Sequence, residues 1–279
     1  MKLIDLDNIT IGSDPEFFIV DNNGNAFPSF NIFGGTKSTP EDKGDGYAVL
    51  KDNVLVEGNI PPAKTKEEYV NSMKTLKYLI NSVLEVAGLK LHNADSMELK
   101  PRYLKHPEAN VFGCSAYKNA WEIGLFTADD LTKKRRRSCG NHVHVGYQLL
   151  TDKYTQKQMN RYIAKAFDYF VTYPSRLHHN DEFREKYYGN YGVYRDTQYG
   201  NECRALGGYF TGDKYLEWVY EQTIKAVQFC SEEVNLQKLD KIGSPVTKDA
   251  EYTQFQYDIL EINLKEQLVK TKKCLEYSV

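Results

Sequence analysis

Seven side chains stand where they could do chemistry together: Asp14 and Glu16, Glu57, His142 and His144, and Glu202 and Arg204. Three of these groups are i, i+2 pairs inside short alternating runs. In a β-strand, residues two apart point to the same face. The run Asn141-His142-Val143-His144-Val145-Gly146 thus sets two imidazoles on one face and two valines on the other. Glu57 stands alone in Val54-Leu55-Val56-Glu57-Gly58-Asn59-Ile60, where a core strand would normally carry an apolar residue. Each feature alone is explained by a solvent-facing side chain or an ion pair. Together they describe a sheet face that gathers four carboxylates, two imidazoles and an arginine. Burying so many carboxylates is costly without counter-charge, and divalent cations are the natural source of it. A carboxylate-dominated set suits Mg²⁺ or Mn²⁺, whereas zinc would favour more His or Cys. Mg²⁺ in such cages usually bridges nucleotide phosphates, with arginines neutralising the transferring phosphoryl group.

The elements that position these residues follow from periodicity. Residues 9 to 20 predict a strand kinked at Gly12-Ser13-Asp14-Pro15, with Asp14 and Glu16 on one face. Pro15 argues for a sheet edge or a bulge, because it donates no ladder bond. Asn22-Asn23-Gly24-Asn25 predicts a hairpin turn. Apolar residues from Tyr69 to Ala87 keep a helical period, with Thr65 as cap and Gly88 as stop. Residues 89 to 99 predict a strand returning to the sheet, and Pro101 to Leu131 an irregular stretch with Gly113-Cys114 and Trp121 as packing points. A second amphipathic helix is expected from Asp152 to Tyr173, then a long functional loop over 178 to 200. Tyr199 to Leu206 predicts a strand with Glu202 and Arg204 on one face. Helices are expected over Lys214 to Val234 and Ala250 to Tyr277. No repeat or Pro/Ser-rich linker divides the 279 residues, so one α+β domain is the simplest reading.

Composition narrows the function classes. A net charge of −2 gives no bulk attraction to a polyanion. The one dense basic run, Lys133 to Arg137, lacks an accompanying aromatic-rich basic surface and reads as a solvated loop, so no nucleic-acid partner is expected. No apolar run approaches the roughly 20 residues that cross a bilayer, and no membrane partner is expected. Five widely spaced cysteines without a CxxC pair, and no signal peptide at Met1-Lys2-Leu3-Ile4-Asp5, point to a reducing, cytoplasmic location. The 21 tyrosines favour wet, hydrogen-bonding clefts. Cys139 and Cys203 adjoin the motif strands and read as small packing residues. Gly34-Gly35-Thr36-Lys37 is a glycine-rich loop ending in a lysine, a weak phosphate-binding signal.

Four segments in sequence carry a resemblance: Gly12 to Phe18, Asp52 to Ala63, Gly140 to Gly146 and Tyr199 to Leu206. Their order and spacing resemble the phage-type carboxylate-amine ligase family of the glutamine synthetase and glutamate-cysteine ligase superfamily. Gly34 to Lys37 and Tyr191-Gly192-Val193-Tyr194-Arg195 also fit, so the resemblance covers most of residues 10 to 210. It implies a curved, mainly antiparallel sheet forming a funnel-shaped active site, backed by helices. It also implies ATP-dependent joining of a carboxylate to an amine through an acyl phosphate, with Mg²⁺ (or Mn²⁺). Under it, Asp14 and Glu16 divide between two metal ions, and Glu57, His142 and Glu202 are further ligands. His144 sits nearer the nucleotide phosphates, Arg204 is a charge clamp, and Arg195, Arg184 and Lys37 contact phosphate or substrate. Glu57, Arg195 and Arg204 are then the residues closest to catalysis. One departure is visible: Asp14 stands where larger relatives often carry Glu, and the shorter side chain moves that metal or admits a water. The Tyr-rich segment from 187 to 199 is a candidate lid that keeps water from the intermediate.

The implied partners are a small-molecule or peptide carboxylate and an amine co-substrate, inside the host cytoplasm if the chain is phage-encoded. Members of the superfamily often form rings with shared active sites, so a homo-oligomer is compatible with the resemblance. Two other readings remain open: a metal-dependent hydrolase or nuclease whose ions activate water, and a non-catalytic nucleotide-binding protein of the same fold.

Overall fold

The alternating residues from Thr10 onward do form a strand, and the sheet is built around it. The structure is a computed structural model that describes residues 2–111, 117–122, 125–126 and 134–276. Its strands are β1 (Thr10–Val20), β2 (Ala26–Phe27), β3 (Glu41–Gly44), β4 (Tyr47–Asp52), β5 (Leu55–Asn59), β6 (Lys90–His92), β7 (Ser96–Glu98), β8 (Tyr117–Asn119), β9 (Leu125–Phe126), β10 (Arg136–Ser138), β11 (Asn141–Gly146), β12 (Val193–Asp196) and β13 (Gly200–Cys203). The helices are α1 (Lys66–Val86), α2 (Pro101–Leu104), α3 (Gln156–Phe167), α4 (Tyr173–His178), α5 (Glu182–Tyr187), α6 (Leu216–Cys230), α7 (Glu233–Leu239), α8 (Ala250–Leu260) and α9 (Leu264–Glu276). Among the described residues, nine strands run in the order β3-β4-β5-β1-β11-β13-β12-β8-β9, and β2 and β6 pair with the far end of β1. All these pairings are antiparallel. β7 and β10 form a separate two-stranded ribbon.

The sheet is backed by helices on one face, and the period-2 pattern decides which. Ile11, Phe17 and Ile19 of β1, Val56 of β5 and Val143 and Val145 of β11 are buried in one core with Met73, Leu76 and Ile80 of α1, Ile163 and Phe167 of α3, and Trp218 and Val219 of α6. The helix α1 begins where its cap predicts. Thr65 Oγ1 accepts from the Glu68 N–H at 3.1 Å, and the Glu68 carboxylate accepts from the Thr65 N–H at 3.1 Å. This reciprocal pair satisfies two otherwise orphaned donors.

Pro15 is not at an edge. It lies in an interior strand, opposite Asn141 of β11. On the other side of β1, β5 pairs with Glu16 and Phe17, and the next bonds come from Ile60 N–H to Ser13 O and from the mutual pair of Ile11 and Ala63. The missing N–H of Pro15 falls in the gap between those two sets, where no ladder bond is lost.

Other boundaries also differ from the sequence reading. Residues 178 to 200 hold α5 and β12, so the segment proposed as a loop and lid contains a strand paired on both sides by β8 and β13. Residues 89 to 99 give two short strands, β6 in the main sheet and β7 in the ribbon. The second helix starts at the Thr155 cap and runs through a π-helical stretch, Asp168–Thr172, into α4. Pro174, with no N–H to offer, follows that widened turn directly. Helices α6 and α7 divide residues 216 to 239, and Glu261 at φ 57° breaks the last helix into α8 and α9. Arg137 of the basic run is buried, donating to the carbonyls of Lys134 and Ala109, and only its neighbours are solvated. Gly113, Cys114 and Lys133 lie outside the described residues.

Candidate functional site

The face of the sheet opposite the helices carries the polar residues in register. Gly12 of β1 lies across from His144 of β11, which lies across from Glu202 of β13, which lies across from Arg195 of β12. Asp14 is opposite His142, and Glu16 is opposite Glu57, itself opposite Leu50 of β4. Two-residue periodicity along each strand thus becomes a two-dimensional array on one face.

The densest part of that array is a carboxylate cluster. Glu16, Asp52 and Glu57 each offer an oxygen, and these oxygens all lie within 4.8 Å of one another. Glu16 is oriented by the Gly140 N–H, which donates to Oε2 at 2.6 Å. Lys37 reaches in from the rim, its Nζ 2.8 Å from Asp52 Oδ2 and 3.6 Å from Glu57 Oε2. Burial and the Asp52 charge push Glu16 above the usual carboxylate range. Burial pushes Glu57 further up, with Asp52, Glu16 and Asp14 adding to it against the pull of Lys37.

His142 sits between this cluster and the next carboxylate. Its Nε2 is 3.9 Å from Glu16 Oε1 and its Nδ1 is 3.8 Å from Glu202 Oε1. Burial, reinforced by Arg204, Arg184, Lys37 and Arg195, holds it well below the ordinary histidine value. A neutral imidazole keeps a lone pair available for a metal. Glu202 is in direct contact with Arg204, and Arg195 Nη1 lies 3.7 Å from Glu202 Oε1. The carboxylates are therefore partly neutralised by Lys37, Arg204 and Arg195, cations of the chain itself.

Asp14 is placed apart from its neighbour Glu16. His144 Nε2 lies 2.9 Å from Asp14 Oδ2, and the Asn59 amide donates to Oδ1 at 2.6 Å. The other ring nitrogen of His144 is hydrogen-bonded to the Tyr199 hydroxyl. Burial opposes it, but the His144 and Asn59 contacts hold the Asp14 carboxyl below its ordinary value. His144 is raised by Asp14 against its own burial. These residues line a cavity of about 380 Å³ with Thr10, Pro62 and Tyr199. That is the size of a small-molecule site. The space beside the Glu16 cluster is only about 50 Å³, room for ions and water.

Two expected phosphate contacts are engaged by the chain itself, although Arg184 also lines the space beside Glu16, Lys37 and His142. Arg184 Nη2 donates to the carbonyls of Arg204 and Leu206 at 3.1 and 2.9 Å, and Nη1 donates to Ser138 Oγ at 3.0 Å. Its guanidinium is a buried clamp on the chain that leaves β13. The amides of the glycine-rich loop are also taken: Gly34 and Gly35 N–H both donate to Glu41 Oε1, at 2.7 and 3.1 Å. That loop holds a carboxylate of its own chain and serves to present Lys37. The Cys139 and Cys203 thiols are fully buried and burial raises both, in line with packing roles.

Asp52 is the residue that sequence reasoning missed. It precedes Asn53, whose φ of 58° marks a turn, and reads as a turn residue. The signal was there in the hairpin: Asp52 pairs with Leu55, two positions before Glu57, which puts Asp52 and Glu57 on the same face.

No family model matches the sequence, and no curated protein matches it. Among solved structures the chain is similar to GmaS without ligand, at 12% identity and a TM-score of 0.43, covering 94% of this chain and 64% of that one. It is similar to a GmaS/ADP complex at 10% identity and a TM-score of 0.43, covering 95% and 67%. A structure described as a novel glutamine synthase homolog gives 10% identity and a TM-score of 0.41, covering 100% and 68%. The chain thus spans about two thirds of the length of these structures.

Proposed function

We propose that this chain is the catalytic domain, residues 1–279, of an ATP-dependent carboxylate-amine ligase of the phage type. The observation that carries this reading is the convergence of Glu16, Asp52 and Glu57 within 4.8 Å, beside a neutral His142, with Lys37 on the cluster and Arg204 and Arg195 on the neighbouring Glu202. Acidic ligands for a hard cation adjoin basic side chains for a phosphoryl group, which is the division of labour that phosphoryl transfer requires. The order of the four motif segments supports the same reading.

The donor set fits Mg²⁺ or Mn²⁺. Oxygens on opposite sides of a hard cation lie roughly 4 to 5 Å apart at the usual metal–oxygen distances, which matches the cluster. Among the described residues Glu57 Oε2 is buried without a hydrogen-bond partner, the condition of an acceptor kept for another donor. Glu16, Asp52, Glu57 and His142 would hold the cation, with Glu202 beyond His142. A divalent ion there would supply positive charge that lowers the repulsion between ATP phosphates and a substrate carboxylate.

The side chains define the remaining steps. Arg204 and Arg195 take up charge on the γ-phosphoryl group as it passes from ATP to the substrate carboxylate, giving an acyl phosphate and releasing ADP. The amine then attacks the acyl carbon, phosphate leaves, and the amine nitrogen gives up one proton as the amide forms. The cavity beside Asp14, His144 and Tyr199 is the part of this face large enough for a substrate or nucleotide.

The test is ADP release with Mg²⁺ across a panel of amino acids and peptides. ADP formed only when a carboxylate and an amine are both present is the expected result. Phosphodiester hydrolysis without ATP would sink the ligase reading in favour of a hydrolase.

A further inference from the structure

Lys37 occupies a position that electrostatics reserves for a cation. Its Nζ sits 2.8 Å from Asp52 and 3.6 Å from Glu57, two of the three carboxylates whose oxygens cluster within 4.8 Å. Glu57 is more than nine-tenths buried, and its Oε2 makes no hydrogen bond among the described residues although it faces the ammonium. At that separation the lysine supplies charge to Glu57 without saturating it.

The lysine is built to enter and to leave. Its side chain is 40% exposed, so the stem lies at the rim and only the ammonium reaches the cluster. Its backbone is fixed. Thr36 and Thr39 exchange both backbone hydrogen bonds around it at 3.1 Å, and Glu41 ties down the amides of Gly34 and Gly35. Gly35 lies so close to β4 that a Cβ there would come within 2.5 Å of Val49 O. A fixed base with a four-carbon flexible arm lets the ammonium exchange positions without moving the loop.

We propose that Lys37 is an internal stand-in for the divalent cation, holding the carboxylate cluster together until the metal displaces it. The inference rests on the metal-site reading above and adds a regulation of that site. Three close carboxylates repel one another, and removing their counter-charge leaves buried charges uncompensated. With Lys37 in place the cluster folds and persists without metal. A divalent ion competes with the ammonium for Asp52 and Glu57, so the lysine lowers apparent metal affinity. Once displaced, the ammonium stands at the mouth of the cluster, beside the place where ligand phosphates approach.

The experiment measures Mn²⁺ binding to the full chain by electron paramagnetic resonance, without nucleotide or substrate. Lys37→Met is expected to bind Mn²⁺ at least about tenfold more tightly than the wild type, the scale of removing one nearby like charge. In the wild type, Mn²⁺ is expected to raise the acetylation rate of Lys37, read by mass spectrometry, as the ammonium is released. Should Lys37→Met fail to fold, Lys37→Gln retains a polar group and carries the same comparison. Unchanged or weaker Mn²⁺ affinity, or a Lys37 acetylation rate that metal does not raise, overturns the proposal. Tighter binding without ADP release in the ligase assay would reject the ligase reading alone. ADP release with unchanged affinity would reject the lysine's role alone.

Discussion

Asp14 and His144 meet diagonally across β1 and β11, with His144 Nε2 2.9 Å from Asp14 Oδ2 and Asn59 holding the other carboxylate oxygen. Glu16, two residues along the same strand face, is turned instead toward Asp52 and Glu57. The acidic pair therefore splits between two neighbourhoods, and its members should respond differently to neutralisation. Glu16→Gln is expected to abolish Mg²⁺-dependent turnover with the fold intact by circular dichroism. Asp14→Asn can still accept from Asn59, so a loss of about ten- to a hundredfold in kcat is expected, the range for residues supporting a site. Comparable losses in the two variants, measured as ADP release, would contradict this division.

The arginines separate in the same way. Arg184 spans two carbonyls and a hydroxyl, a geometry that one ammonium does not reproduce. Arg184→Lys is expected to lower stability by about 2 kcal/mol, read in urea denaturation, because buried carbonyls lose their donors. Arg195 lies at a half-buried position beside Glu202. Arg195→Gln should leave the denaturation midpoint nearly unchanged while lowering kcat/KM for ATP. A large stability loss in Arg195→Gln would reassign it to the scaffold.

Gly58 positions Glu57 through the core. It points to the helical side of β5, where a Cβ would come within 2.7 Å of both methyl carbons of Leu76 in α1. Gly58→Ala is expected to cost about 1 to 3 kcal/mol by overpacking. Leu76→Ala alone should cost about 2 to 5 kcal/mol as a cavity. The double variant should lose less than the sum, because the new methyl enters the space that leucine vacates. Additive losses in urea denaturation would show that the two side chains do not share that space.

The motif strands were legible because i, i+2 spacing within β1, β11 and β13 survives folding unchanged, and so did the α1 cap, where Thr65 and Glu68 act locally. What was not legible depended on partners distant in sequence. Pro15 reads as an edge residue until the gap in the β5 ladder is known. Arg184 reads as a free cation until the carbonyls of Arg204 and Leu206 arrive beside it. Asp52 reads as part of a turn, and only its register with Leu55 aims it at Glu16, a residue of another strand. Gly34 and Gly35 read as an anion-binding loop correctly enough, but the anion is Glu41. The local pattern told which residues share a face, and pairing between strands decided which ones meet.

Asp168 gives a stability effect outside the candidate site. It begins the π-helical stretch, fully enclosed, with Trp121 Nε1 donating to its Oδ2 at 2.7 Å. Burial pushes its carboxyl up to about 7, against the lowering effects of the Trp121 bond and Arg176. A carboxyl raised in the folded state binds its proton more tightly there than in the unfolded chain. Its stabilising contribution is therefore complete below the ordinary carboxylate value, falls as pH rises from about 4, and is lost above pH 7. The span corresponds to at most about 4 kcal/mol between those limits. Asp168→Asn mimics the neutral acid and removes the group's titration. The variant is expected to gain on the wild type as pH is raised from 5 to 8, with urea denaturation at each pH as the measurement. A stability difference between the two proteins that does not change with pH would show that Asp168 is ionised in the fold throughout.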